Sequence, residues 1–187
     1  MARMGSQCGA GTIGRIAAVL ILATNVTTAA ARPLIVRIYD SVGSSTRTLV
    51  AAQAGAAAIL RGAGVDITSW RDCSTGCTDT VQPGEVLVRI IRAPAGAEAG
   101  VLGCALIDAR TGSGTLATIY GDRVRLVAER TGVGEAMLLG RAVAHEIGHL
   151  LLGTSQHADA GLMRAHWSDR ELQQGSEADW TFLGPIR

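Results

Sequence analysis

The run AHEIGHLLLGTSQHADAGLM, residues 144–163, sets the hardest condition on the fold. His145 and His149 are four residues apart, so on a helix they stand on one face, about 6 Å apart at Cβ. His157 follows eight residues after His149. On a continuing helix it would rise about 12 Å further along the axis, out of reach of the pair. It rejoins them only if the helix stops and the chain turns back. Gly153 is placed for that stop, because glycine enters the left-handed conformation that ends helices at little steric cost. Thr154, Ser155 and Gln156 then make a short return loop.

The same spacing has a chemical reading. Two imidazoles on one helix face can share a Zn²⁺ ion at about 2.0–2.1 Å each. Glu146 stands next to the first of them, so it points beside the metal rather than at it. That is the place for a general base acting on a zinc-activated water, whose pKa zinc lowers to about 7. With His157 the ion would have three protein ligands and one open position, the arrangement of a catalytic site. The plain alternative is a helix carrying two histidines at a polar surface. Met163 either lies beneath the metal or fills an ordinary gap in the core. His166 reads as a surface or supporting residue. Tyr120 is either an oxyanion donor or, more simply, a packed tyrosine with a bonded hydroxyl.

HEIGHLLLGTSQH followed by GLM resembles the metzincin zinc metallopeptidases, and within them the matrixin-like branch. The resemblance is specific from residue 143 to about 167 and elsewhere covers only the order of elements. It implies His145, His149 and His157 as zinc ligands, Glu146 as general base, Gly153 as the turn glycine and Met163 as the methionine under the metal. It also implies a cleft beneath an edge strand along which a peptide substrate lies by β-augmentation. VLGCALID, residues 101–108, is the candidate for that strand. Against the pattern HExxHxxGxxH, Gly153 comes one residue late and His157 one later again, so the loop is two residues longer. Asp159 and Glu171 therefore remain rival third ligands. No segment of the kind that keeps matrixins latent is expected between Ala31 and the first strand.

The chain has 187 residues, enough for one domain with a real core. Hydrophobic residues make up 48% but aromatic ones only 3%, so Ala, Val, Leu and Ile must build that core. Arg3 and Arg15 precede the apolar run IAAVLILATNV and the small residues Ala29 to Ala31. That is the order of a secretory signal, residues 1–31, whose apolar run is too short to span a bilayer as a stable helix. An uncleaved anchor is the alternative. Cleavage leaves residues 32–187 as a single domain with 15 Arg, 16 acidic residues and a net charge of −1. No basic run appears, which argues against nucleic acid as a partner. An exported chain, secreted or periplasmic, can keep disulfides. CSTGC suits a tight Cys73–Cys77 bridge, with a metal pair as the weaker reading, and Cys104 is then expected as a buried free thiol.

Alternating β-branched residues predict strands over 34–40, 65–70, 85–93, 101–108 and about 116–120. Helical spacing predicts a helix from about 46 to 62 or 64, a long one over 135–152, and a last one over DRELQQ capped by Ser168. The segment after Gly121 is open between strand and helix. The expected architecture is α/β (α+β): a zincin-like twisted mixed sheet of about five strands backed by two helices, with a short C-terminal helix. The expected function is an exported, monomeric zinc endopeptidase acting on peptides or proteins. The competing expectations are a zincin fold that binds a peptide or envelope partner without cutting it, and a zinc ion with a mainly structural role.

Overall fold

The computed structural model describes residues 32–183 except Ala109. The signal-like segment 1–31 lies outside the described residues. Five strands form one mixed sheet: β1 (Arg32–Asp40), β2 (Val65–Asp72), β3 (Glu85–Ile91), β4 (Gly103–Asp108) and β5 (Ser113–Tyr120), in the order β2-β1-β3-β5-β4. The pairs β1–β2, β1–β3 and β3–β5 are parallel, and β4 is antiparallel to β5 at one edge. Leu34, Val36 and Ile38 of β1 and Val86, Val88 and Ile90 of β3 alternate into the core.

Helices α1 (Thr46–Gly62) and α3 (Glu135–Leu152) back the sheet and pack on each other. Their approach is close because Gly140 has no side chain. A Cβ there would sit 2.7 Å from the Ala52 carbonyl oxygen of α1. The segment after Gly121 is a helix, α2 (Gly121–Thr131), so the described residues hold one more helix than the strand-and-helix order predicted. Val124, Ala128 and Thr131 are buried at helical spacing, and Gly132 ends the helix at φ +74°. A final helix, α4 (Asp169–Gln174), starts at Ser168 with a full capping box to Glu171 and is followed by a 3₁₀ turn, Glu177–Trp180. Among the described residues no helix is long and apolar enough to cross a membrane.

The other face of the sheet is covered near β1 by the loop between β2 and β3. Cys73 and Cys77 are disulfide-bonded there. Arg37 points into the loop and is only 1% exposed. It donates to the backbone carbonyls of Asp79 and Thr80 at 2.9 and 3.0 Å, and pairs with the Asp79 carboxylate at 2.9 Å. It also bonds the buried Glu85 carboxylate, which Arg71 reaches from the far side at 3.2 Å.

Cys104 is free but exposed, against the expectation of a buried thiol. It lies on the edge strand, where residues 103, 105 and 107 turn inward while 104, 106 and 108 face out. The apolar run VLGCALI put the thiol in the core, whereas the alternation of this edge strand turns it out. Tyr120 is packed, with its hydroxyl 3.8 Å from the Cys104 sulfur and the Arg123 guanidinium 5.2 Å from its ring.

Candidate metal centre

Helix α3 ends where the glycine permits. Gly153 takes φ +64°, ψ +29°, and its N–H closes on the His149 carbonyl. The position is demanding in a second way: a Cβ on Gly153 would overlap the Gly112 carbonyl in the turn between β4 and β5. Thr154 then starts a turn, with its hydroxyl accepting from the Gln156 N–H at 3.1 Å. Ala158 donates to the Met163 carbonyl at 2.8 Å, which pins the loop against the following segment. The outcome is a chain reversal that brings His157 back. Its ring centroid lies 5.4 Å from that of His145 and 4.9 Å from that of His149. One ligand atom from each of the three histidines falls within 4.8 Å of the others, so the three can hold a metal ion. Asp159 and Glu171 are not part of this group. Glu171 is spent on the capping box and on an ion pair with Arg164.

The donor set fits a cation. His145 Nδ1 meets the Leu162 carbonyl at 2.9 Å, and His149 Nδ1 meets the Thr154 carbonyl at 2.8 Å. A carbonyl only accepts, so each Nδ1 carries the proton and each Nε2 presents a lone pair. The two Nε2 atoms face each other at 3.0 Å. Two lone pairs at that distance repel unless a cation lies between them. Burial, reinforced by the other two histidines, lowers the His145 pKa to about 4, and burial lowers that of His149 as well. Both rings are therefore neutral at neutral pH, the form that ligates metals.

Glu146 is buried beside them, 7% exposed, with Oε2 lacking any hydrogen-bond partner among the described residues. Burial raises its pKa to about 8. The edge strand comes directly up to it: a Cβ on Gly103 would sit 3.0 Å from Glu146 Oε1 and 2.6 Å from the Thr118 carbonyl. Only glycine lets β4 run that close to the carboxyl group. Met163 lies under the helix, and a Cβ on Gly148 would be 2.8 Å from its sulfur and 2.6 Å from the Phe182 ring. Met163 therefore packs below the residue that precedes His149.

These groups open into a cleft of about 440 Å³. Its rim is the backbone from Gly100 through β4, and its far wall includes Val127, Ala142, Trp167 and Leu172. His166 is exposed on the wall opposite the edge strand. Several contributors were not found by reading the sequence. Gly103 is one. Trp167 is another: it lies 5.6 Å edge-on to His145 and donates from Nε1 to the same Leu162 carbonyl at 3.3 Å. Arg123 is a third. It donates to the carbonyls of Ala97, Glu98 and Val101, with the first and last at 2.8 and 2.9 Å, and so fixes the loop leading into the rim. In the sequence it is only one of three arginines on the helix after β5.

Comparison with protein-family models found no match, and comparison with curated proteins found no relative. The functional reading therefore rests on the site itself.

Proposed function

We propose that this chain is a zinc-dependent endopeptidase of metzincin type, exported through its N-terminal segment. The observation that carries the reading is the juxtaposition of three imidazole ligand atoms within 4.8 Å of one another with the buried, unpartnered carboxyl group of Glu146. A site built only to hold a metal has no use for a desolvated carboxyl aimed past the ligands.

Zinc held by His145, His149 and His157 would supply Lewis acidity, polarising a substrate carbonyl and acidifying water at neutral pH. The protein's own groups do the rest. Glu146 accepts a proton from the attacking water and returns it to the leaving amine. Desolvation raises the proton affinity of the carboxylate, and a cation held by the neighbouring histidines would favour the ionised form that accepts the proton. The Leu162 and Thr154 carbonyls fix the ring planes of His145 and His149, so the Nε2 lone pairs are presented without rearrangement. The outer edge of β4 offers unpaired backbone groups to an extended peptide, and Gly103 keeps that path open beside Glu146. The Cys73–Cys77 bridge suits an oxidising compartment.

The test is cleavage of unfolded protein substrates by zinc-loaded protein. Turnover should stop on chelation and return with added zinc. Full zinc occupancy with no cleavage of any peptide in a diverse library would leave only a binding role.

A further inference from the structure

Arg141 lies on α3 one turn before His145 and is 8% exposed. Its guanidinium stacks on Trp180, with Cζ 3.8 Å from the ring centroid. Among the described residues it pairs with no carboxylate, and its Nη1 is buried without an acceptor. An arginine does not shed its charge inside a protein. Burying that charge without a counter-charge is costly, and stacking on an indole recovers only part of the cost.

The same indole gathers two further orphaned donors. Trp180 Nε1 is buried with no acceptor. Arg164, whose Cζ is 5.7 Å from the Trp180 ring, has its Nη2 buried and unpaired. The charge of Arg164 is answered by Glu171, while that of Arg141 is not. Around Trp180, among the described residues, three buried donors thus have no acceptor and the charge of Arg141 has no carboxylate partner. We infer that this cluster is a binding site for a small anion, a halide or a short carboxylate, held between Arg141 and the Trp180 edge. An anion supplies both missing elements at once: the acceptor and the negative charge.

The site lies behind the metal centre and is linked to it by aromatic contacts. Trp180 meets Trp167 edge-on at 5.3 Å, and Trp167 meets His145 at 5.6 Å. An occupied site would steady Trp180 and, through Trp167, the carbonyl that orients His145. The inference does not depend on hydrolysis.

The full chain is titrated with sodium chloride and, separately, sodium formate, while thermal melting and tryptophan fluorescence are followed. The wild type should gain roughly 3–6 °C in Tm once the ion is about tenfold above its dissociation constant, with a saturable fluorescence change. Arg141→Met, of similar size and uncharged, should lose both responses and melt no lower than wild type without added ion. Trp180→Phe keeps an aromatic face for Arg141 and deletes the Nε1 donor, so it should weaken the anion response by roughly tenfold. A wild type indifferent to either ion overturns the proposal. So does an Arg141→Met variant with the same salt response as wild type.

Discussion

Glu146→Gln is expected to keep its metal and lose turnover by about 10²–10⁴-fold. Glutamine has the shape of glutamate, and the pocket beneath Gly103 accepts it without a new clash. What it lacks is a site for the transferred proton. Because Glu146 does not belong to the ligand group, zinc occupancy should stay at the wild-type value. Because it does not form the edge of β4, KM should change far less than kcat. The kinetic split and the metal content are measured on the same preparation. A variant that cleaves as fast as wild type would remove Glu146 from the chemistry. A variant that loses its zinc would make its role structural.

The second large effect is on stability and lies at the other face of the sheet. Arg37→Ala should lower Tm by roughly 6–20 °C at neutral pH. The substitution leaves Glu85 buried with only Arg71 beside it and frees the carbonyls of Asp79 and Thr80. The pH dependence gives the effect a signature. In the folded protein the Gln82 N–H, and after it the Arg37 guanidinium, hold the Glu85 carboxyl below its usual pKa. A carboxyl depressed by folding adds stability above its unfolded pKa, and that stability is lost as pH falls through the folded value. Once protonated, Glu85 no longer needs Arg37. The gap between the melting curves of wild type and Arg37→Ala should therefore narrow as pH falls through the depressed folded pKa of Glu85, leaving the smaller part that comes from the Asp79 and Thr80 carbonyls. A gap of constant size from pH 7 to pH 3 would show that packing of the arginine stem, not its charge, holds the loop.

Much of the candidate site was legible because it is local. Helical spacing placed His145 and His149 on one face, and α3 has the bounds that its periodicity gives. The return of His157 followed from one glycine and a short loop, and Gly153 does adopt the left-handed conformation. The Ser168 cap was equally local. The edge position of 101–108 came from the resemblance and agrees with the strand order.

What escaped the sequence depends on distant chain. Gly103 matters because a neighbouring strand and the Glu146 side chain on α3 close on it from two sides. Nothing in VLGCALI records either approach, and the same blindness put Cys104 in the core. Arg37 reads as the polar member of an alternating strand, whereas the cysteine loop folds over it and buries it. The helix after Gly121 was ambiguous because it is short and highly charged. Its apolar stripe of Val124 and Ala128 is convincing only once the partner surface of α3 is known.

The most direct test of the account is X-ray absorption at the zinc edge on stoichiometrically loaded protein, compared with His157→Ala. The account predicts one zinc per chain with three imidazole nitrogens at about 2.0–2.1 Å, and loss of one imidazole shell in the variant. A sulfur ligand, a protein carboxylate in place of the third imidazole, or an unchanged shell in His157→Ala would contradict it.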